Sequence, residues 1–350
     1  MTQKFPVLDG MRGVAALAVT LHHIRQAGLA PKGMFISGYL AVDLFFVLSG
    51  FVIAHAYDTR IGRSITPAHF IIMRFIRFWP LIFLGVCFGA LQIILFDGPL
   101  SKEIGDTALP IAFSLNSLIL PYLYGEGNRM FPTNPPEWSL FYELIINSLY
   151  AVLFRWISPR VLLVLVAISG LGLAITIAHY HAAGFGWAKG ELSLGMIRVT
   201  FSFFAGVLIR RHLQVLSNIV PKWPMYSVLA LTFLVLLFPF RLSGLYDILV
   251  VIVVSPLLVV AGSQSIEGEG NGIRVAKWLG DISYPLYAIH APVIFAASTL
   301  APASSIGKWL LGLAVFLFAV SLSPMMQRFF DIPTRAALSR LLMLQSARAS

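Results

Sequence analysis

The sequence has few charged residues and one cysteine. Only 11% of its 350 residues are charged, whereas a soluble globular domain has about 25%. Hydrophobic residues make up 58% of the chain, and a single cysteine, Cys87, excludes an internal disulfide. The shortage of charge predicts a polytopic membrane protein, not a soluble enzyme, and no polar stretch is long enough to suggest a second domain.

The chain also lacks a concentrated basic surface, although its net charge is +10. Its arginines and lysines lie mostly in short connections between apolar runs, where membrane proteins use them to fix orientation. This distribution argues against nucleic acid as a partner and favours membrane lipid. No secretory signal peptide is expected, because the charges at Asp9 and Arg12 interrupt the place where its apolar core would begin.

Apolar runs recur along the chain and predict about ten transmembrane helices, each near the ~20 residues that cross ~30 Å of hydrocarbon. The predicted fold class is therefore all-α, a polytopic membrane helical bundle. A further apolar stretch at 107–123 contains two prolines and is predicted to be re-entrant or interfacial. The ten predicted spans are 11–30, 37–57, 74–96, 139–156, 160–180, 193–211, 224–240, 246–262, 282–300 and 307–328.

The connections between these spans differ in charge. With ten spans, the arginine-rich connections and the C-terminal tail fall on one side, and the other side includes the loop 97–137, where acids outnumber bases. The positive-inside rule then places both termini in the cytoplasm. We expect a membrane domain over residues 1–335 and a cytoplasmic tail over 336–350. No internal repeat of the kind found in transporters is visible.

Ionisable groups inside the spans are few, and such groups usually face a protein interior or a water-filled cavity. In LDGMRGVAALAVTLHH, residues 8–23, Arg12 and His23 are eleven positions apart. They therefore share one helical face, ~16 Å apart along the axis, while His22 points ~100° away from His23. The spacing favours His23 over His22 as the functional partner of Arg12. The alternative is that Arg12 only anchors the helix and His23 only packs.

Two carboxylates are predicted at a depth similar to that of His23. Asp43 lies in YLAVDLFFVLSGF, residues 39–51, and Glu143 ends NPPEWSLFYE, residues 134–143. A carboxylate beside an imidazole raises its basicity and fixes its tautomer. We therefore expect a catalytic group formed by His23, Asp43 and Glu143 from three different helices. The alternative for Asp43 is a carboxylate that is capped by backbone or paired with another cation.

Arg74 and Arg77 stand at i and i+3 in HFIIMRFIRFWP and are predicted at the cytoplasmic edge. They either orient the protein and bind anionic lipid, or bind the phosphates of a ligand through bidentate hydrogen bonds.

Other candidate substrate-binding residues come from two blocks. Trp138 and Ser139 precede Glu143, and Tyr287 and His290 share a helical face in LGDISYPLYAIHAPV. As alternatives, Trp138 suits an interfacial aromatic belt and His290 a hydrogen bond between helices. No metal site is predicted.

Taken in order, these blocks resemble the acyltransferase family 3 membrane proteins, which include bacterial O-acetyltransferases of surface polysaccharides. The opening looks like that family's Arg-x10-His signature, and the closing FFDIPTR is similar to its usual end. The later blocks that look like those of the family, in the same order, are VDLFFVLSGF, RFIRFWP, EWSLFYE and DISYPLYAIHAPV.

The resemblance implies an integral O-acyltransferase of the bacterial inner membrane. Such an enzyme moves an acyl group, commonly acetyl, from cytoplasmic acyl-CoA to a hydroxyl of an extracytoplasmic glycan or lipid-linked sugar. It implies that His23 is the catalytic histidine, that Arg12 is its signature arginine, and that Arg74 and Arg77 meet the phosphates of the donor. Acyl-CoA is expected as a donor substrate, with no permanently bound cofactor.

Other functions use the same groups. A transporter or flippase would employ them as a proton relay, and a sensor or assembly protein would need no catalysis. For the enzyme, His23 acts either as a general base or as a covalent acyl carrier. The acceptor, the acyl chain, the oligomeric state and any partner protein stay open at this point.

Overall fold

The computed structural model of the protein describes residues 4–96, 101, 104, 108–125, 127–237, 244–266 and 270–349. Within these ranges the chain is all-helical and contains no β-strand, as the predicted fold class requires. Residue 107, parts of the loop 97–137, and residues 238–240 of the run 224–240 lie outside the described residues. The helices are α1 Pro6–Gln26, α2 Ala41–Tyr57, α3 Pro67–Leu95, α4 Leu109–Asn116, α5 Glu137–Leu153, α6 Pro159–Tyr180, α7 Leu192–Arg211, α8 Leu213–Ile219, α9 Met225–Leu237, α10 Leu245–Leu249, α11 Ser255–Ser263, α12 Asn271–Ser298, α13 Ser305–Met326 and α14 Ile332–Ala349.

Six helical segments in the described ranges are long and apolar enough to cross a membrane. Each overlaps a predicted span. The other four predicted spans also form helices, α1, α5, α9 and α12, but these are shorter or carry more polar groups, so the number ten stays a prediction. The six segments are Ile36–Tyr57, Pro67–Leu95, Pro159–Tyr180, Leu192–Arg211, Leu245–Ser263 and Ser305–Leu342.

The start of α3 differs from the prediction by seven residues. Thr66 caps the helix, since its hydroxyl accepts a hydrogen bond from the His69 amide at 3.2 Å, and Pro67 occupies the first turn. Arg74 therefore lies ~10 Å along the helix and Arg77 ~15 Å. Both arginines reach further into the bundle than residues at a helix end would.

The polar helices α1 and α12 pack against each other and run in the same direction. Their close approach requires glycine, because a Cβ atom at Gly13 would lie 2.4 Å from the Leu279 carbonyl oxygen. About ten residues further along both helices, His23 meets His290. The polar groups between the two helices face protein instead of lipid, which makes their burial tolerable.

The helices α2 and α7 are also parallel and in close contact. A Cβ atom at Gly50 would lie 1.9 Å from the Phe203 carbonyl oxygen. This small-residue contact brings Asp43 on α2 beside Arg198 on α7. The pair ties the two helices together near their N-terminal ends.

The arginine-rich connections gather at one end of the bundle. Arg211, at the end of α7, binds Asp58 after α2 at 2.9 Å and the Ile157 carbonyl after α5 at 2.9 Å. Phe5 packs against His55 at the same end. The grouping of basic connections with the N-terminus supports the charge pattern from which the orientation was predicted.

The C-terminal helices continue without a break at residue 335, where the membrane domain was predicted to end. A π-helical turn, Gln327–Asp331, joins α13 to α14. Asp331 in this turn is bound by Arg335 and lies 3.9 Å from Arg77 on α3. The chain around residue 335 is therefore packed onto the bundle, and the boundary between domain and tail stays a prediction.

Candidate active site

The three arginines predicted to bind the donor line one cavity of about 170 Å³. Arg12 comes from α1, and Arg74 and Arg77 come from α3. Tyr284 on α12 also lines it, and the Arg77 guanidinium lies 5.2 Å from the centre of its ring. The structure thus brings together cations from two helices, which sequence spacing alone could not do.

Glu143 lies in this cationic cavity and not beside His23. Its carboxylate accepts hydrogen bonds from Arg74 Nη2 at 3.1 Å and from the Ser49 hydroxyl at 2.6 Å. The structure therefore does not place Glu143 with His23 as predicted. Because α3 begins early, Arg74 reaches the level of Glu143 and takes it as an ion-pair partner.

Asp43 also differs from its predicted position. Its two carboxylate oxygens accept hydrogen bonds from Arg198 Nε at 2.9 Å and Nη2 at 2.7 Å. The exposed fractions are 0% for the Asp43 side chain and 1% for that of Arg198. Arg198 also donates to the carbonyls of Phe185 and Tyr39. A buried carboxylate needs a paired cation, and Arg198 fills that need in place of His23.

His23 lines a second and larger cavity of about 740 Å³. Trp138, one of the predicted substrate-binding residues, lies on its wall, and the Arg198 guanidinium is 5.5 Å from the centre of that tryptophan ring. Arg25 and Arg129 line the cavity as well. This cavity lies toward the C-terminal end of α1, away from the arginine-rich connections.

The ring partner of His23 is His290. The Nδ1 atom of His290 lies 3.0 Å from the Leu286 carbonyl oxygen and 2.9 Å from that of Tyr287. Carbonyl oxygens only accept, so this nitrogen carries the proton, and in a neutral ring Nε2 is then an acceptor. It lies 3.0 Å from Nδ1 of His23, which must be the donor.

The tautomer of His23 follows from this pairing. Its Nδ1 donates to His290 and lies 3.1 Å from the Val19 carbonyl oxygen as well. In the neutral ring Nε2 is therefore unprotonated. Neither the sequence spacing nor the two predicted carboxylates had indicated that a histidine orients this ring.

His22 lines the same large cavity, although the helical spacing turned it away from the stripe of Arg12. Its Nδ1 lies 3.0 Å from the Phe35 carbonyl oxygen, and its ring packs edge-on against Tyr39. These contacts attach the end of α1 to the following connection. They give His22 a structural role at the end of α1.

Tyr287 stands between the two cavities and lines both of them. Its hydroxyl lies 2.6 Å from the Ser139 hydroxyl and donates to the Pro136 carbonyl at 3.0 Å. Ser139 lines the smaller cavity, and its hydroxyl oxygen lies 3.2 Å from the same carbonyl oxygen. Two of the four predicted substrate-binding residues, Ser139 and Tyr287, therefore form part of the wall between the two cavities.

A third cavity of about 540 Å³ adjoins the cationic one and shares Arg12, Arg77 and Tyr284 with it. Its other charged lining residues are Lys4, Lys277, Asp9, Asp281 and Asp331. The three cavities follow one another from the N-terminal end of α1 to His23. Among the described residues no three His, Cys, Asp or Glu side chains are placed to hold a metal ion.

Arg198 is the functional-site residue that sequence reasoning missed. It lies inside an apolar predicted span, and an arginine there signals a buried acidic partner. The partner, Asp43, was already singled out, but nothing in the spacing linked positions 155 residues apart.

Comparison with known proteins gives one family. The family model described as "Acyltransferase domain" matches residues 5–327. The chain is 35% identical to "Protein 2 in picA locus" of Rhizobium radiobacter, over 51% of this chain and 97% of that protein. It is 30% identical to "Exopolysaccharide production protein ExoZ" of Rhizobium meliloti, over 83% of this chain and 85% of that protein.

A more distant relative is "Peptidoglycan O-acetyltransferase OatA" of Listeria monocytogenes. The identity is 23% over 94% of this chain, which spans 56% of the length of that relative. No solved structure gives a significant match.

Proposed function

The chain belongs to the acyltransferase family whose model matches residues 5–327, and from that premise we propose which group it transfers and in which direction. It moves an acyl group, commonly acetyl, from acyl-CoA on the cytoplasmic side to a hydroxyl of a glycan or lipid-linked sugar on the outer side of the bacterial inner membrane. The names of the two relatives that mention exopolysaccharide and peptidoglycan support a glycan acceptor. Membership of this family disfavours the transporter and sensor alternatives.

The observation that carries the proposal is the position of Tyr287. The cavity on one side of Tyr287 is lined by Arg12, Arg74 and Arg77. The cavity on its other side is lined by His23. The phosphates of the donor need cations, whereas the hydroxyl of the acceptor needs a base. With one cavity for each, the acyl group has only to pass the wall that Tyr287 and Ser139 form.

On the donor side, guanidinium groups suit the phosphates of CoA because they form bidentate hydrogen bonds and stay charged. Glu143 holds the Arg74 guanidinium in place through its 3.1 Å bond. The adjoining cavity, which carries both lysines and aspartates, offers room for the rest of a long donor. The thioester end then points toward Tyr287.

On the acceptor side, His23 acts as the general base in this proposal. As the acceptor hydroxyl oxygen attacks the thioester carbonyl, Nε2 of His23 takes the hydroxyl proton. The carbon–sulfur bond breaks, and the departing thiolate takes that proton from the imidazolium. The products are an O-acyl sugar and free CoA thiol, so atoms and charge balance.

His290 is a positioning residue in this step. It holds the proton of His23 on Nδ1, which leaves the Nε2 lone pair for the acceptor hydroxyl. The imidazolium that forms still has His290 as an acceptor for its Nδ1 proton. An unprotonated Nε2 would also suit attack on the thioester itself, and trapping of an acyl-histidine by mass spectrometry would identify that route instead.

The test compares cells that carry the wild-type gene or His23→Ala. We expect mass spectrometry of the envelope glycans to show one fraction that loses its acyl groups in the variant. The purified wild-type protein in lipid should restore them with acetyl-CoA. Identical acyl content in both cell types, with the variant present at normal levels, would contradict the proposed function.

A further inference from the structure

The cavity that contains His23 has a positive lining. Three arginines, Arg25, Arg129 and Arg198, reach it, and no Asp or Glu is among its lining residues in the described part of the chain. A neutral sugar hydroxyl needs no such charge. The charge of this cavity therefore bears on the chemistry of the acceptor.

Arg198 and Arg25 differ in how their charge is balanced. Arg198 is neutralised by Asp43 through two hydrogen bonds. Arg25 forms no ion pair with a described carboxylate, and its buried Nε makes no hydrogen bond within the residues that the structure describes. A buried donor without an acceptor is unfavourable, and a ligand that supplies the acceptor removes that cost. Arg25 is therefore the side chain of this cavity that an anionic ligand would stabilise.

Arg25 is also in the right place for such a ligand. It lines the same cavity as His23. Arg25 is two residues further along α1 and leaves the helix ~160° away from His23, so its long side chain contributes a different part of the wall. Trp138 and Trp187 on other parts of the wall offer flat apolar faces of the kind that the C–H face of a pyranose ring packs against. The cavity thus combines a base, an anion-binding group and aromatic surfaces within the dimensions of one or two sugar residues.

We infer that the acceptor is an anionic saccharide, whose carboxylate or phosphate is bound by Arg25 beside the hydroxyl that receives the acyl group. This inference rests on the proposed function and narrows its acceptor class. The two sources of charge are an acidic sugar within the glycan and the diphosphate of a lipid carrier. Both would form charge-assisted hydrogen bonds with the guanidinium.

The experiment uses the glycan fraction from His23→Ala cells as the acceptor, because that material lacks the acyl group. Purified wild-type protein in lipid is assayed with three forms of this glycan fraction. One form is untreated, one has its carboxyl groups reduced to alcohols, and one has been released from its lipid diphosphate by mild acid. We expect one of the two treatments to lower kcat/KM by roughly 10- to 100-fold, the effect of one lost charge-assisted bond.

The variant Arg25→Gln should lose the preference of the enzyme for the charged acceptor over the neutralised acceptor. Its kcat/KM should fall roughly 10- to 100-fold with the anionic acceptor and less than about threefold with the neutralised one. Turnover of the neutralised acceptor shows that the variant is folded. Arg25→Lys should keep part of the preference. Lys32→Gln is the matched control, since Lys32 is exposed on the connection after α1 and does not line the cavity.

The possible failures are distinguishable. If no glycan fraction differs between wild-type and His23→Ala cells, the proposed function is wrong. If a fraction differs but the wild-type protein acylates all three forms equally well, the function stands and the inference is overturned. Equal losses by Arg25→Gln with charged and neutralised acceptors would assign Arg25 a structural role and also overturn it.

Discussion

The Nε2 atom of His290 accepts a hydrogen bond from Nδ1 of His23 across 3.0 Å, and the two rings come from the parallel helices α1 and α12. His290 is itself fixed by two backbone carbonyls. The His23 ring is thus oriented by a neutral imidazole and not by a carboxylate. This pairing avoids placing an additional negative charge next to a base inside the membrane domain.

His290→Leu should lower kcat by roughly 100-fold, a loss typical of a misplaced general base. His290→Gln should retain more activity, because its amide can donate to a backbone carbonyl and accept from His23. Nitrogen NMR of labelled His23 provides the second measurement. The Nδ1-protonated tautomer should dominate in wild type and be lost in His290→Leu. Wild-type turnover by His290→Leu would exclude the positioning role.

His23→Ala should reduce acyl transfer by 100-fold or more, the contribution of a general base, with donor binding nearly unchanged. His22→Ala should keep more than about a tenth of the turnover, since the contacts of His22 with Phe35 and Tyr39 are structural. Transfer by purified variants in lipid, together with acyl-CoA binding, measures both. Selective loss in His22→Ala would reverse the assignment.

Arg74→Gln should raise the KM for acyl-CoA about 10- to 100-fold, as expected for lost charge-assisted bonds. Glu143→Gln should raise it less, because the amide oxygen still accepts from Ser49 and Arg74. The double variant should show less than the sum of the two effects, since the residues are in contact at 3.1 Å. Arg155→Gln, an exposed arginine after α5, serves as the control. An effect of Glu143→Gln on the acceptor KM alone would show that this residue belongs to the other cavity.

Arg198→Met should destabilise the protein by about 3–5 kcal/mol, because it leaves the buried Asp43 carboxylate without a cation. Asp43→Leu should do the same for the guanidinium, while the double variant should recover much of the loss. Thermal unfolding in detergent measures the three proteins. A folded double variant without transfer activity would give Asp43 a function beyond its pairing with Arg198.

Tyr287→Ala should open the wall between the donor and acceptor cavities. We expect transfer to fall and hydrolysis of acyl-CoA without acceptor to rise severalfold, because water then reaches the thioester. Tyr287→Phe keeps the ring in place and should show little added hydrolysis. Assays of CoA thiol release with and without acceptor separate the two reactions. Unchanged hydrolysis in Tyr287→Ala would show that the two cavities are not separated by this ring.

The sequence by itself was sufficient to predict the class of the protein and most of the candidate residues. Low charge and repeated apolar runs predict helices in a membrane, since lipid leaves few other ways to satisfy the backbone. The few polar groups in those runs stand out because burying them is costly. The ordered blocks from Arg12 to Asp331 then indicated the family that the comparison confirmed.

The pairing of those polar groups was decided only by tertiary structure. The spacing of Arg12 and His23 describes one helix, but it says nothing about which helices become neighbours. The glycine contacts at Gly13 and Gly50 set those neighbours, and through them His23 meets His290 and Asp43 meets Arg198. Electrostatic partners depend on a few ångströms across helices that are far apart in the chain, and periodicity carries no information about that distance.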